Sequence, residues 1–360
     1  MPQPESRDPL ALRGPARLED AVHRTRARLG RARGLRPAIL PVPGYGGPGW
    51  ARVLCRVVLT RPRRRDPRPR PENVRGFRSF LSIPVDDVDV RVRIGDVERM
   101  LPAARGGVVD AHVDVDLEPG WHEVRYWAEG VDPVTSRVFV VDPAVRRGLL
   151  SDIDDTVMVT ALPRPLLAAW NTFVLDEHAR TPVPGMAVLY DRFLRDNPGA
   201  PVVYLSTGAW NVAPTLIRFL DRNLYPAGAL LLTDWGPSPD RWFRSGSEHK
   251  RASLSRLARE FPGMSWLLVG DDGQHDEELY GAFVREHPDN VSAVAIRQLT
   301  VGEAVFAGGR SHEGAAGVAP WVYAPGGAGL ATQLAELGLL SRPEPHGHPE
   351  PHGRPEPHGR

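Results

Sequence analysis

Residues 149–157 read Leu-Leu-Ser-Asp-Ile-Asp-Asp-Thr-Val, a short apolar run that leads into three carboxylates and a threonine. The pattern predicts the end of a buried strand whose acidic residues, Asp152, Asp154 and Asp155, turn out into a cleft. Because buried strands carry few charges, carboxylates packed this densely repel one another unless a cation or a proton lies between them. The stretch therefore predicts a divalent-metal site at the end of a strand.

The region that contains this stretch alternates apolar runs with helical patterns. The apolar runs lie at Gly148–Ile153, Val202–Leu205, Ala229–Leu232, Trp266–Val269 and Val291–Ile296. The helical patterns lie at Met186–Asp196, Val212–Asn223, Glu248–Glu260 and Asp276–His287. This alternation predicts an α/β fold, in which a parallel sheet carries helices on its faces. The ligand crevice of such a sheet lies at the carboxyl ends of the strands, where Asp152, Ser206 and Asp271 fall.

An earlier region, residues 40–142, has the pattern of short strands separated by turn residues. Apolar residues alternate with charged ones at Val88–Ile94 and Val109–Leu117, and further apolar runs lie at Arg52–Leu59, His122–Ala128 and Arg137–Val141. This pattern predicts a small antiparallel β-sandwich, in which no catalytic side chains are grouped. The insert at residues 61–71 is rich in arginine and proline and is predicted to be an extended, exposed loop.

Both ends of the chain differ in composition from the two predicted domains. Residues 1–80 hold 19 arginines and 6 acidic residues, a balance of +13 (19 − 6), although the formal net charge of the chain is +1. Residues 1–39 are predicted to be a basic arm with a helical pattern; because its apolar stripe is thin, a solvated helix or partly disordered arm is favoured over a helix that lies on anionic lipid or nucleic acid. Residues 342–360 repeat a hexapeptide of the Arg-Pro-Glu-Pro-His-Gly type and are predicted to be disordered. The remaining units are the sandwich, 40–142, and the α/β domain, 143–341.

Cellular location is predicted from what the sequence lacks. Cys55 is the single cysteine, so no internal disulfide is expected. No charged-then-apolar leader opens the sequence, and no apolar run approaches the roughly 18 residues that span a bilayer. We therefore expect a cytoplasmic protein whose membrane contact, where it occurs, is peripheral. Nucleic acid is the less favoured partner because no base-reading motif is present, and the sequence is silent on the oligomeric state.

Lys250 is the single lysine among 45 basic residues. Where arginine fills every other cationic position, a retained lysine is a candidate for a role that arginine cannot fill, such as a compact charge beside a phosphoryl group. Chance retention on a solvated helix is the alternative. Lys250 lies between Ser206 and Asp271 along the chain, and the combination of a sole lysine with three polar strand ends is more specific than any single motif.

These motifs resemble those of the haloacid dehalogenase-like (HAD) phosphatases, whose first motif has the form Asp-x-Asp-x-Thr, as in residues 152–156. More narrowly, residues 146–300 are similar to the phosphatidate phosphatase family of the actin-patch protein type. The narrower likeness rests on Ser151–Thr156, Pro184-Gly185-Met186, Tyr204-Leu205-Ser206 with Trp210-Asn211, Asp234-Trp235-Gly236, His249-Lys250 and Gly270-Asp271-Asp272-Gly273-Gln274 with Asp276. The resemblance implies a HAD-like Rossmannoid sheet with a small cap.

The resemblance also implies a Mg²⁺-dependent reaction in which Asp152 is the nucleophile and forms an aspartyl-phosphate. Asp154 would protonate the leaving alkoxide and later activate the attacking water. Asp271 would complete the metal site with Asp152 and the backbone carbonyl of Asp154. Ser206 would donate a hydrogen bond to a phosphoryl oxygen, and Lys250 would neutralise the charge that develops there.

Neighbouring residues are predicted to support this site. Thr156 is expected to orient Asp154, while Thr207 and Gly208 are expected to help bind the substrate, and Thr207 is an alternative to Ser206. Supporting or helix-capping roles around the metal ligands are assigned to Asp155, Asp272 and Asp276. His249 and His275 are interpreted as polar residues at helix starts, with catalysis as the less favoured alternative.

The predicted function is hydrolysis of a phosphomonoester, with phosphatidate as the substrate by resemblance. Only about 45 residues separate the first motif from the next strand, so a large cap is not expected and the cleft should be open. Aromatic residues that would line an apolar entrance for acyl chains, although core packing explains them equally well, are Trp170, Phe173, Trp210, Trp235, Trp242 and Phe243. The alternatives are a phosphatase for phosphoproteins or nucleic-acid ends, and a non-catalytic module that binds an anionic surface.

Overall fold

The computed structural model describes residues 25–61, 83–86, 88–159, 181–233, 239–273, 275–300 and 319–342. Several predictions lie outside these ranges: most of the basic arm, the proline-rich insert, the repeat tail, and the segment with Trp170 and Phe173. The same holds for Trp235 and for the side chains of Trp242 and Phe243. In the described part of the arm, residues 25–32 are helical.

The first sheet has eight strands. They are β1 (Arg36–Gly47), β2 (Trp50–Thr60), β3 (Ile83–Pro84), β4 (Asp89–Ile94), β5 (Val97–Pro102), β6 (Val108–Asp114), β7 (Gly120–Ala128) and β8 (Val131–Val140). Strand β4 shows why the sequence folds this way: Val90, Val92 and Ile94 are buried and the residues between them are exposed. Such alternation buries one face of a strand and leaves the other to solvent.

The strands form one curled sheet instead of the two layers of the predicted sandwich, with the order β3-β2-β1-β8-β7-β4-β5 and β6 paired to β2. Strand β1 joins the halves, because it pairs antiparallel with β2 and parallel with β8. The predicted antiparallel pairing holds for every neighbouring pair of this sheet except β1 and β8, and the predicted sandwich is a curled sheet. The sheet curls around its own core, which includes Val53, Cys55 and Val57 of β2.

The second sheet has six strands, and every neighbouring pair in it is parallel. The strands are β9 (Arg147–Asp152), β12 (Val202–Ala209), β13 (Ala229–Thr233), β14 (Ser265–Asp271), β15 (Val291–Arg297) and β16 (Trp321–Ala324). Their order is β13-β12-β9-β14-β15-β16, so β9 is an interior strand. The predicted parallel sheet is confirmed, and β16 is an additional strand. A separate two-stranded ribbon pairs β10 (Met158–Val159) with β11 (Thr181–Pro182).

Five helices accompany the parallel sheet in the described ranges. They are α1 (Met186–Asp196), α2 (Ala213–Arg222), α3 (Pro239–Glu260), α4 (Asp276–Glu286) and α5 (Gly327–Glu336). The first four fall on the predicted helical patterns, although α3 begins nine residues before the predicted start at Glu248 (248 − 239). Across the described ranges, no helix combines the length and the apolarity that crossing a membrane requires.

The two sheets share a hydrophobic core. Val42, Tyr45 and Leu54 of the curled sheet belong to the same buried cluster as Leu150 and Trp210 of the α/β part. Leu54 lies between Val53 and Cys55 on β2 and points to the opposite face, because side chains alternate along a strand. Strand β2 is therefore buried on both faces, which explains its adjacent apolar residues at Val53–Cys55 and Val57–Leu59.

Candidate active site

Polar residues at the carboxyl ends of β9 and β14 and in the second half of β12 meet at one edge of the parallel sheet. In the strand register, Leu205 pairs with Asp152 and Val269 pairs with Ser151. Ser206 is the residue after Leu205 and therefore lies next to Asp152. Asp271 is two residues after Val269 and lies at the same edge of the sheet. Parallel strands present their carboxyl ends at the same edge, so the sheet brings together residues that are up to 119 positions apart (271 − 152).

Lys250 binds two buried carboxylates at this edge. Its Nζ lies 2.6 Å from Oδ1 of Asp152 and 2.7 Å from Oδ1 of Asp276. The side chains are 7%, 2% and 1% exposed for Lys250, Asp152 and Asp276. Burial alone would disfavour the ammonium form, but the two carboxylates outweigh this and raise the pKa of Lys250. The lysine is therefore a fixed positive charge inside the site.

Three carboxylates form a compact acidic cluster. Oxygen atoms of Asp152, Asp271 and Asp276 all lie within 4.8 Å of one another. Burial raises the pKa of Asp152 well above its usual range; Lys250 offsets part of this rise, and the charge of Asp276 adds to it. Burial and the charges of Asp276 and Asp152 likewise raise the pKa of Asp271. One ammonium group does not balance this many acids, so the cluster favours a proton or a further cation.

Asp276 is engaged on both of its carboxylate oxygens. Oδ1 accepts the hydrogen bond from Lys250, and Oδ2 lies 3.4 Å from the backbone nitrogen of Asp271, which donates to it. Asp276 is the first residue of α4, so the helix N-terminus also favours its negative charge. Asp276 is predicted only to support the site or cap a helix, whereas its carboxylate contacts Lys250 directly.

Asp154 is held by Ser206 of β12. Oγ of Ser206 donates a hydrogen bond of 3.1 Å to Oδ2 of Asp154 and accepts one of 2.9 Å from the backbone nitrogen of Gly208. Thr156 was expected to orient Asp154, but its Oγ1 is buried and has no hydrogen-bond partner among the described residues. In this structure Ser206 makes the orienting contact.

The turn after Asp154 is fixed by its backbone. Asp155 has a φ of 58°, in the left-handed region that residues with a side chain rarely adopt. Its nitrogen donates to the carbonyl oxygen of Met158, and its carbonyl oxygen accepts a hydrogen bond of 2.7 Å from Nη1 of Arg297. Arg297 is a buried cation at the end of β15 that was not among the residues predicted from the sequence. Its position at a predicted strand end, as for Asp152 and Asp271, was an available signal.

The other predicted residues lie outside the acidic cluster or make contacts with the backbone. Oδ1 of Asp272 accepts a hydrogen bond of 2.8 Å from the nitrogen of Leu299 and so ties two strand-end loops together. The carbonyl oxygen of Thr207 accepts one of 3.1 Å from Thr233. His275 lies beside Glu278 at the surface. His249 lies on α3, next to Lys250 in sequence.

The acidic cluster fits a hard divalent cation. All of its donor atoms are oxygens, which is the set that Mg²⁺ prefers. Oδ2 of Asp152 is buried and accepts no hydrogen bond from any described residue. Since both oxygens of Asp276 are already engaged, Asp152 and Asp271 are the better candidates for metal ligands.

Comparison with known families singles out the region that carries this geometry. Residues 147–298 match the family model described as "Phosphatidate phosphatase APP1, catalytic domain". The resemblance inferred from the motifs is thereby confirmed over that range. The match includes every strand-end residue of the site, Lys250 and Arg297, and it excludes the curled sheet.

Two curated fungal proteins match over a similar length. Phosphatidate phosphatase APP1 of Saccharomyces cerevisiae is 25% identical over 151 residues, which is 42% of this chain and 25% of that protein. An uncharacterised protein of Schizosaccharomyces pombe is 24% identical over 153 residues, again 42% of this chain and 25% of the relative. The match thus spans about a quarter of the length of each relative.

Among solved structures, a carbohydrate acetylesterase from Xanthomonas citri is similar over 76% of this chain and 73% of its own length, with a TM-score of 0.28 and 8% identity. A likeness of this size carries no argument about fold or function.

Proposed function

We propose that this protein is a Mg²⁺-dependent phosphatase of the HAD type that hydrolyses a phosphomonoester through an aspartyl-phosphate on Asp152, and that its substrate is phosphatidate. The observation that carries the proposal is the environment of Asp152. Its Oδ1 is held by Lys250 at 2.6 Å, while its Oδ2 is buried and has no hydrogen-bond partner among the described residues. Oδ2 is therefore the oxygen available to attack phosphorus, while Oδ1, which Lys250 holds, would also be the oxygen that Asp152 contributes to the metal site.

The first step would form a bond between Asp152 Oδ2 and phosphorus and break the bond between phosphorus and the alcohol oxygen. Asp154 would donate the proton that this leaving oxygen needs, with its carboxyl group oriented by Ser206. Lys250 would offset the negative charge on the phosphoryl oxygens during transfer. In the second step Asp154 would take a proton from water, whose oxygen attacks phosphorus, so that phosphate leaves and Asp152 is regenerated.

Mg²⁺ would be held by carboxylate oxygens of Asp152 and Asp271 and by the backbone carbonyl of Asp154. When bound, the ion would neutralise negative charge on the carboxylates and on the phosphoryl group, which otherwise repel each other. Asp276 would keep Lys250 in place, since its two oxygens already accept hydrogen bonds from Lys250 and from the Asp271 backbone.

Phosphatidate is proposed as the substrate because the matched family and the Saccharomyces cerevisiae relative are both described as phosphatidate phosphatases. Phosphatidate is a phosphomonoester of a lipid and presents its head group at a membrane surface. Residues 1–80 as a whole, with a balance of +13 (19 − 6), would favour an anionic surface of that kind. Phosphoproteins, nucleic-acid ends and a non-catalytic binding role are the alternatives that the assay must separate.

The test is phosphate release from phosphatidate in mixed micelles, from phosphopeptides and from 3′-phosphorylated oligonucleotides, with Mg²⁺ or with a chelator. We expect Mg²⁺-dependent release from phosphatidate, which Asp152→Asn abolishes. Asp191→Asn is the matched control, because Asp191 is an exposed carboxylate on α1 that pairs with Arg195. Release from all substrates at the level of Asp152→Asn, together with retained vesicle binding, would refute catalysis and favour the binding module.

A further inference from the structure

Helix α3 presents two different faces to two different parts of the molecule. Lys250 lies on one face and reaches the acidic cluster, alongside the buried side chains of Leu254 and Leu257. Arg256 and Glu260 lie four residues apart on a second face. Side chains at this spacing point the same way on a helix, so this second face is directed as a unit toward the curled sheet.

The second face is joined to the curled sheet by a chain of charge-assisted hydrogen bonds. Glu260 accepts bonds of 2.6 Å from the Tyr45 hydroxyl and 2.9 Å from Nη1 of Arg52. Asp110 accepts bonds of 2.6 Å from Nε of Arg52 and 2.8 Å from Nη1 of Arg256. The chain of contacts therefore runs Tyr45–Glu260–Arg52–Asp110–Arg256 and connects β1, β2 and β6 to α3. We call these five residues the sheet–helix clamp.

The clamp is more protected from solvent than an ordinary surface ion-pair network. The four charged side chains are 15% to 29% exposed, and Tyr45 is 1% exposed. Two guanidinium groups face two carboxylates, so the charges balance. Partly buried, charge-assisted hydrogen bonds of this kind are stronger than those of exposed ion pairs.

An aromatic cluster holds the same end of α3. The ring of Phe261, the residue after α3, lies 5.9 Å from that of Tyr45 and 5.6 Å from that of Trp50. It also lies 6.1 Å from the ring of Trp266 on β14. These are normal separations for aromatic pairs in protein cores. The end of α3 is thus fixed to both sheets at once.

We propose that the clamp residues Tyr45, Arg52, Asp110, Arg256 and Glu260 are positioning residues for Lys250, so that the curled sheet is part of the catalytic apparatus and not an independent binding domain. The proposal rests on the proposed phosphatase function for its activity readout. Arg256 is six residues from Lys250, about 9 Å along a rigid helix. A shift or rotation of α3 at the clamp would therefore move Nζ relative to Asp152 and Asp276.

The expected loss of kcat follows from how closely Nζ of Lys250 is held. It lies 2.6 and 2.7 Å from two carboxylate oxygens, and a displacement of about 1 Å would stretch or break one of these bonds. Misplacement of a catalytic group by about 1 Å can cost about a hundredfold in rate. We expect Arg52→Ala, which removes the residue that links both carboxylates of the clamp, to lower kcat by about tenfold or more with little change in KM.

Arg93→Ala is the matched control. Arg93 is also an arginine of the curled sheet with a carboxylate partner, Glu98 at 2.7 Å, but this pair is exposed and lies on β4 and β5, away from α3. Tyr45→Phe is the milder test variant, since it deletes only the hydroxyl that bonds Glu260 and keeps the ring. We expect Arg93→Ala to keep wild-type kcat and Tyr45→Phe to lie between Arg52→Ala and wild type.

A second readout does not depend on activity. Because Lys250 is the only lysine, reductive dimethylation of the full chain can modify one side-chain amine besides the chain terminus. In the wild type, Lys250 is buried and bound by two carboxylates, so we expect slow modification, with Lys250→Arg as the blank. We expect intact-mass measurements to show modification of Lys250 at least about fivefold faster in Arg52→Ala, and at the wild-type rate in Arg93→Ala, because a loosened α3 exposes the amine.

The outcomes separate this inference from the proposed function. If the wild type releases no phosphate, the function fails, and the modification rates still test the clamp. If folded Arg52→Ala and Tyr45→Phe, checked by circular dichroism, both keep the wild-type kcat and the wild-type modification rate, the clamp does not position Lys250. If Arg52→Ala unfolds, Tyr45→Phe alone decides between the two results.

Discussion

Replacing Lys250 with methionine removes the one ammonium group that two buried carboxylates share. Asp152 and Asp276 are 2% and 1% exposed and lie 2.6 and 2.7 Å from Nζ. Loss of one partner from a buried ion pair costs about 3–5 kcal/mol, because the remaining charge stays buried without compensation. We expect Lys250→Met to lower the free energy of unfolding by an amount in this range, and phosphatase activity to be lost as well.

A second substitution separates the structural cost from the catalytic one. Asp276→Asn removes one of the two carboxylates that Lys250 compensates and keeps the shape of the side chain. We therefore expect Lys250→Met with Asp276→Asn to be less destabilised than the sum of the single variants, by about 1–3 kcal/mol. Activity should not return, because the charge beside the phosphoryl group is still missing.

The assay is urea denaturation of the wild type, both single variants and the double variant, with chelator present so that no metal contributes. Tryptophan fluorescence and circular dichroism report the transition. Lys250→Met with wild-type stability would refute the reasoning, and so would strictly additive losses in the double variant. Either result would mean that the ammonium group does not compensate the two carboxylates.

Three further predictions concern single positions. Asp155 has a φ of 58°, so Asp155→Ala should be less stable to urea than Asp155→Gly by about 1 kcal/mol, although both lack the carboxylate. Burial and Arg256 lower the pKa of His249 to about 4, so the unfolded chain binds the proton first as the pH falls from 6.5 toward 4. The wild type should lose up to about 3 kcal/mol of stability over that range relative to His249→Gln. Mg²⁺ should raise the melting temperature of the wild type but not of Asp271→Asn, whereas Asp276→Asn should keep part of the response.

The placement of the polar residues at the strand ends was predictable because it depends only on the type and order of the secondary-structure elements. Once the apolar runs are assigned to parallel strands, Asp152, Ser206 and Asp271 must fall at the same edge of the sheet. Helix α1 was also predicted with its observed bounds, Met186–Asp196. Local signals define it well, since Gly185 precedes it with a φ of 76° and a proline precedes that glycine.

Strand β1 was not predicted because its composition opposes its structure. Residues 36–47 include three prolines and three glycines, which are depleted in strands. The partner strand explains the glycines: a β-carbon on Gly44 would lie 2.1 Å from the carbonyl oxygen of Arg52. Close approach of β1 to β2 therefore requires glycine, and it is β1 that joins the two halves of the curled sheet. A rule based on local propensity cannot detect a strand that is specified by its neighbour.

Side-chain partners were the least predictable part of the site. Contacts such as those of Lys250 with Asp276 and of Arg297 with Asp155 depend on how elements pack across the sheet, which the spacing of residues in the chain does not determine. The same limit applies to α3. Its helical pattern predicts that Arg256 and Glu260 share a face, but only the fold shows that this face meets the curled sheet.

The family match covers residues 147–298 and excludes the clamp residues of the curled sheet, Tyr45, Arg52 and Asp110. If those residues position Lys250, the matched region by itself is an incomplete catalytic unit. The limits of the match then show where sequence similarity ends, whereas the functional unit also includes the curled sheet.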